Sequence, residues 1–308
     1  MGRTDAHEDA CPLLCQRKSL IFAFIHDNRH EFRLDILCRM LGVAISGYYT
    51  WRGRPISQHQ FHDAALSLRI KALHEQYKGR YGAPRLHIEL AQEGLKCSKK
   101  RVARLMRTAG LRAKGKRKHV VTTDSNHELA VAENLLQRDF QPQQPNQVWA
   151  GDITYIPTKE GWLYLAVVLD LYSRLIVGWS MSDRMPAELP VAALQMAVQR
   201  RSPPPGLIHH SDRGSQYASG LFQAELQQIG AQASMSRQGN CWDNACVESF
   251  FATLKRELLD SEPFESREAA RAAIFSYLEV FYNRQRRHST LGLGYLTPHQ
   301  ADCHAQAA

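Results

Sequence analysis

Trp149-Ala-Gly-Asp-Ile-Thr-Tyr155 reads as a strand with an acid at its centre. Apolar and polar residues alternate along it, the two-residue period of a half-buried strand. Asp is disfavoured in mid-strand unless something compensates its charge, and the candidates are a metal ion or a buried hydrogen-bond network. Working outward, a second run, Leu207-Ile-His-His-Ser-Asp212, ends in an acid just before Arg213-Gly-Ser215. A third acid, Glu248, sits inside Asn244-Ala-Cys-Val-Glu-Ser-Phe-Phe-Ala-Thr-Leu-Lys255, which has the pattern of a helix. Hard divalent cations take oxygen ligands, and a two-metal site needs several carboxylates converging from separate elements. Asp152, Asp212 and Glu248 therefore form the candidate set for metal-dependent phosphoryl transfer on nucleic acid. Lys255 follows Glu248 by seven residues, which returns to nearly the same helix face and offers a cation to a phosphate.

Each acid has a rival. Asp170 ends a strand before Tyr172-Ser-Arg174, where Asp is commonly a turn residue, and Asp212 could serve only the turn at Gly214. Asp243 stands where an N-cap would satisfy the free N–H groups of the following helix. His209 and His210 are adjacent on a strand and point to opposite faces, and imidazole suits Zn²⁺ better than Mg²⁺, so they read as structural residues or DNA contacts.

The elements around these acids form an α/β order. Strands are expected at 147–156, 162–170 and 175–181, a helix at 186–200, and a strand ending at Asp212. A helix at 219–229, a strand near 231–235 and helices at 244–259 and 266–284 follow. Three strands, helix, strand, helix, strand, helix is the order of a ribonuclease-H-like mixed-sheet core.

Charge locates a second module. The net +9 divides as +2 over residues 1–55, +12 over 56–118 and −5 over 119–308, so the surplus lies in one short segment. A basic segment beside an acidic one suits a protein that grips a polyanion with one module and cuts it with another. Within it Ser98 can cap a helix in which Val102, Leu105, Met106 and Ala109 share one face. Lys99, Lys100, Arg101, Arg104 and Arg107 lie on the other faces, the arrangement of a recognition helix of helix-turn-helix type. The basic tail Arg112–Lys118 continues that footprint.

In residues 1–55, Leu34, Leu37 and Leu41 recur at helical spacing, Gly42 can stop that helix and Ser46 can cap the next. The expected organisation is a helical unit at 1–55, a basic helix-turn-helix-like DNA-binding domain at 56–118, a linker at 119–145 and a catalytic core at 146–303. Cys11 and Cys15 with His26 and His30 imitate a zinc finger, but ten residues separate the pairs and the histidines follow an apolar helical run, so no zinc is expected. Seven scattered cysteines without a Cys-x-x-Cys pair, no signal core and no run of ~18 apolar residues indicate a soluble, cytoplasmic protein with no membrane partner.

The chain resembles the catalytic subunit, often called OrfB, of bacterial insertion-sequence transposases, relatives of retroviral integrases with an Asp-Asp-Glu site. The stretches that carry the resemblance are Trp162–Asp170, His210–Tyr217, Ser234–Asn240, Asp243-Asn-Ala245, Glu248-Ser-Phe-Phe251, and Phe281-Tyr-Asn-Arg284 with Arg287-His-Ser289. Two departures stand out: Gly151 replaces a usual Thr, and Leu291-Gly-Leu-Gly-Tyr295 is two residues longer than usual. The resemblance implies a transposase that cleaves and transfers DNA strands at the ends of an insertion sequence. Asp152, Asp212 and Glu248 would hold two Mg²⁺ ions, with Mn²⁺ as a substitute. It further implies double-stranded DNA as partner, a homo-oligomer on that DNA, and an upstream-frame protein or fused segment. The alternatives are a non-catalytic DNA-binding regulator of transposition and a ribonuclease-H-type nuclease. Nicking of an element end separates the first, and cleavage of an RNA–DNA hybrid the second.

Overall fold

The structure, a computed structural model, describes residues 11–55, 57–115, 131–137, 139–237, 241–259, 262–291 and 295–307, without the side chains of 11–17, 241 and 242. The end of the basic tail (116–118), linker residues 119–130, the end of the Ser234–Asn240 stretch (238–240) and the extra residues 292–294 lie outside that set, as do the side chains of Cys11 and Cys15. The chain divides into two compact units, Met1–Leu68 and Arg69–Ala308. None of the described helices is long and apolar enough to cross a membrane.

In the first unit α1 (Cys11–Asn28), α2 (Leu34–Met40) and α3 (Ile45–Gly53) enclose Phe22, Ile25, Leu37, Cys38 and Tyr48. Gly42, at φ 65°, follows α2 in the left-handed conformation that glycine adopts without penalty. Ser46 is not a cap: α3 starts one residue earlier with Ala44 at the N-cap, and Ser46 lies in the first turn. His26 Nδ1 pairs with the Tyr48 hydroxyl at 3.1 Å, inside the three-helix packing. The boundary between the units falls within α4 (Gln58–Gln76).

The second unit begins with helical elements. In α5 (Ala83–Gln92) Pro84 occupies the first turn, where its missing N–H costs nothing, and Leu86 and Leu90 are buried. In α6 (Lys99–Thr108) the Ser98 side chain accepts from the Arg101 N–H, the expected cap, and Val102, Leu105 and Met106 are buried. Lys99, Lys100, Arg104 and Arg107 are exposed and Arg101 half-buried, so the helix buries one face and presents a basic one.

The core is a five-stranded sheet in the order β3-β2-β1-β4-β5. The strands β1 (Val148–Thr158), β2 (Gly161–Asp170) and β3 (Ile176–Ser182) form an antiparallel meander. On the other side, β4 (Ile208–Ser211) and β5 (Gln232–Met235) run parallel to β1. The fold is thus a ribonuclease-H-like mixed α/β core preceded by small helical elements, as the element order implied. The helices α7 (Glu188–Arg201), α8 (Ser215–Ala218) and α9 (Gly220–Gln228) join Trp149, Val168, Leu194, Tyr217 and Phe222 in one apolar layer. The helices α10 (Ala245–Leu258) and α11 (Arg267–Phe275) contact β1, and α11 continues as a π-helical stretch, Ser276–Tyr282. The last element, α12 (Pro298–Gln306), opens with a Thr297–Gln300 capping box and is tied to α7 by the Arg201–Asp302 ion pair, 2.6 Å.

Close packing of α7 on β3 depends on Gly178. A Cβ there would lie 2.1 Å from the Ala193 carbonyl oxygen and 2.8 Å from the Ala197 Cβ, so helix and strand would have to part. Overpacking of this kind costs about 1–3 kcal/mol. Gly178→Ala should lower the unfolding free energy of the full chain by an amount in that range, read as a lower urea midpoint at unchanged m, and an unchanged midpoint would contradict the α7–β3 packing.

Candidate active site

Parallel pairing brings the first two acids together. Ala150 pairs with His210 in the β1–β4 register. Asp152 and Asp212 each lie two residues beyond that pair, so both follow the same side-chain parity on neighbouring strands, roughly 4.7–4.9 Å apart. Asp212 directly follows β4, and its Oδ1 accepts from the Gly214 N–H at 3.0 Å, so it also shapes the turn. Asp152 Oδ1 accepts from the Ile153 N–H at 2.7 Å. Glu248 lies in the first turn of α10, the helix packed on β1. The start of that helix is fixed by Asn244, whose Nδ2 donates to the Gly151 carbonyl at 3.3 Å, next to Asp152.

The three acids feel one another. The Asp152 carboxyl is held well above the usual carboxylate range, first by burial, then by the charges of Asp212 and Glu248, with Lys255 acting against them. Lys255 is half-buried, with its Nζ 5.8 Å from the centre of the Tyr155 ring. Burial pushes its ammonium below the ordinary lysine range while the Asp152 charge pulls it back up. The structure thus places all four predicted residues in one electrostatic neighbourhood, although among the described residues no group of three His, Cys, Asp or Glu side chains is close enough to hold a metal ion as it stands.

The rivals have other work. Asp170 is fully buried and accepts from the N–H groups of Asn146, Tyr172 and Ser173 and from the Ser173 hydroxyl, all within 3.0 Å. It is a turn residue. Asp243 is not the N-cap of α10; it sits in a 3₁₀ turn, Cys241–Asn244, and Asn244 occupies the cap. Its buried carboxylate accepts from the Arg237 backbone N–H, the Arg237 guanidinium and Asn134 Nδ2, at 2.9–3.0 Å. His209 and His210 are both buried, which removes them as DNA contacts. Burial pushes His209 down to about 3 and His210 to about 4, so both rings are neutral. His210 is bonded to the hydroxyls of Ser234 (2.9 Å) and Ser236 (3.3 Å).

Gly151 has a local reason. A Cβ at that position would lie 2.8 Å from His209 Cε1 and 3.3 Å from Tyr217 Cε1. With the His209 ring in place the strand admits no side chain there, so the departure at Gly151 is matched by its neighbours rather than loosening the strand. Two residues near the acids were given no role from sequence. Tyr217, five residues after Asp212, has a buried hydroxyl within the influence of Asp152 and Asp212, and Asn244 ties α10 to β1. A polar residue in the first turn after an acid-bearing loop was the available signal for both.

Known proteins share much of this sequence. The chain is 50% identical over 274 residues to "Transposase InsF for insertion sequence IS3A" of Escherichia coli strain K12, covering 88% of this chain and 95% of that protein. The chain belongs to the insertion-sequence transposases. A second relative, an uncharacterized 31 kDa protein of insertion element IS600 from Shigella sonnei, is 49% identical over 256 residues, 83% of this chain and 94% of its own length. The integrase core domain family matches residues 142–241 and again 229–298, and an HTH-like domain family matches 61–119. Among solved structures, the simian T-cell lymphotropic virus intasome in complex with the PP2A regulatory subunit B56 gamma aligns with a TM-score of 0.43 at 18% identity, over 76% of this chain and 74% of that one. The magnesium-bound HTLV-2 integrase catalytic core domain aligns with a TM-score of 0.41 at 20% identity, over 53% of this chain and 99% of that one. This transposase-family chain is therefore an enzyme of the transposase and integrase type.

The revised role of Asp243 is testable. An Asn at a helix cap would be nearly silent. Here the amide N–H₂ would face at least one of the donors that now converge on the carboxylate, and a mismatch at a buried group costs about 1–3 kcal/mol. Asp243→Asn should therefore lower the thermal midpoint measurably, and wild-type stability would restore the cap assignment.

Proposed function

We propose that Asp152, Asp212 and Glu248 are the residues at which DNA strands are cut and joined at the ends of an insertion sequence, with Mg²⁺ as cofactor and Mn²⁺ as a substitute. The observation that carries the reading is geometric: the β1–β4 register sets Asp152 and Asp212 at the same side-chain parity, and α10, packed on β1, brings Glu248 in its first turn. Carboxylate oxygens are the donors that hard divalent cations take, and a cation offsets the mutual repulsion, so the residues present fit the metal. When bound, two such ions supply Lewis-acid stabilisation and activate water or a 3′-hydroxyl for in-line displacement.

The chain's own groups do the rest. Lys255, held by Asp152 and the Tyr155 ring, offers its ammonium to a phosphate oxygen beside the acids. The basic face of α6, with Lys99, Lys100, Arg101, Arg104 and Arg107, enters the major groove of element-end DNA and supplies most of the affinity. Two element ends require at least two protomers, so the working form is a homo-oligomer on DNA. An upstream-frame protein or fused segment completes the assembly in the cytoplasm.

Cleavage and joining of end-containing DNA, run beside a binding assay on the full chain, separates these roles. Glu248→Gln keeps shape but removes one ligand charge, and should reduce the rate roughly 10²–10³-fold with little change in binding. Lys100→Gln with Arg104→Gln should instead weaken binding and lower its salt dependence, since each lost phosphate contact removes about 0.9 from the slope of log K against log salt. Near-normal rates in Glu248→Gln would exclude it as the third acid.

A further inference from the structure

Beside Glu248, on the neighbouring face of α10, lies a cavity of about 380 Å³ that the function above does not use. Its walls carry Arg85, Arg174, Arg256 and Arg286 with the hydroxyls of Ser249 and Thr290, and no carboxylate. On α10, Ser249, Thr253 and Arg256 form one stripe by their spacing of three and four. Ser249 directly follows Glu248, so this stripe lies about 100° around the helix from the one carrying Glu248 and Lys255.

The four guanidinium groups have little negative charge to answer them. Glu257, outside the cavity lining, is among the described residues the one carboxylate within ion-pair distance shared by Arg85, Arg256 and Arg286, and it is already engaged. Arg286 Nε approaches both its oxygens at 3.0–3.1 Å, and the Tyr277 hydroxyl donates to Oε2 at 2.9 Å. Arg85 and Arg256 stand further off, at 3.8 and 3.7 Å. The hydrogen bonds of Arg85 and Arg174 go elsewhere: Arg85 Nε to the Arg287 carbonyl (2.8 Å), Arg174 to the Cys246 sulfur (2.8 Å) and the Phe140 carbonyl (3.2 Å). Burial, together with Arg286, Arg85 and Arg174, drives His288 well below the ordinary histidine range, so no further cation is added. Cations withdrawn from water without an equal number of anions are costly, and a bound anion offsets that cost. Planar guanidinium forks also match phosphate oxygens in pairs.

We propose that this arginine-lined cavity is a second phosphate-binding site, which holds the backbone of the DNA strand one or a few nucleotides from the phosphate at Asp152, Asp212 and Glu248. The proposal rests on the reading of those three acids as the place of chemistry. Ser249 at the cavity mouth and Glu248 beside it make the two sites continuous along one strand. The cavity reads no base: every polar group named in it is a phosphate donor, so it fixes the strand's path and leaves sequence to α6.

The test is binding by the full chain in metal-free buffer, read by anisotropy of a duplex ending in the element's terminal repeat. Single phosphates around the cleavage position are replaced one at a time by neutral methylphosphonates. For the wild type, neutralisation at one or two flanking positions should weaken binding severalfold. For Arg256→Gln the same replacements should have no further effect, the non-additivity expected of groups in contact, and the salt slope should fall by about one phosphate contact. Arg256→Lys should recover the slope. If Arg256→Gln fails to fold by thermal melting, Ser249→Glu, on an exposed position of the wall, places an anion at the mouth and should weaken binding in the same register. Additive effects at every phosphate, or inorganic phosphate competing as well per phosphate group as the oligonucleotide, would overturn the proposal. Failure here with cleavage still strongly reduced in Glu248→Gln removes the second site alone, whereas intact phosphate coupling with full cleavage by Glu248→Gln removes the reading of the acids.

Discussion

Parallel pairing of β1 with β4 is the constraint on which the candidate site depends. A one-residue slip in that register would turn Asp152 and Asp212 to opposite faces, because side chains alternate along a strand. The register is held by the apolar layer on the other face, where Trp149, Tyr217 and Phe222 are buried with α7 and α9. His209 fills the space left by Gly151, so the two strands lock by shape beside the acids. Burial on one face thus sets the positions of charges on the other. The result is a cluster of like charges that a folded chain would ordinarily avoid.

Helix α10 carries the consequences. Its first turn supplies Glu248, and its last turn supplies Lys255 and the buried Glu257. Arg286 and Tyr277 pair with that carboxylate from the chain that follows, and the Glu257 carbonyl accepts from Arg80 at 3.2 Å. Arg287, next in sequence, reaches Glu89 at 2.9 Å, and the Tyr81 hydroxyl donates to the Gln285 carbonyl at 2.9 Å. The basic helical elements are therefore joined to the end of α10 and the chain that follows it by largely buried polar contacts. Breaking one partner of a buried pair costs about 3–5 kcal/mol, which makes such a junction a fixed one.

Much of this was legible in the sequence. The alternation around Asp152 and the 3.6 period of α10 are local signals, and they placed the strand, the helix and the shared face of Glu248 and Lys255. The acids themselves stood out because charge in a strand and at a strand end needs a reason. What was not legible depended on contacts distant in sequence. Asp243 looked like a cap because Asn134 and Arg237, which engage its carboxylate, give no periodic signal. His209 and His210 kept two readings because burial on both faces of β4 is decided by α9 and β5. The arginine cavity gathers residues from α5, the turn after β2, α10 and the segment after the π-helical stretch, and no spacing rule joins those four. Gly178, in a strand of ordinary pattern, showed its constraint only once α7 lay on it.

If the crowded carboxylates hold a divalent cation, the ion can be located directly. Crystals of the full chain soaked in Mn²⁺ are measured near the manganese absorption edge. The expected result is an anomalous peak ligated by Asp152 and Asp212, with Glu248 adjacent, that disappears in Asp152→Asn. A peak elsewhere in the molecule, or one at the acids that persists unchanged in Asp152→Asn, would contradict the account.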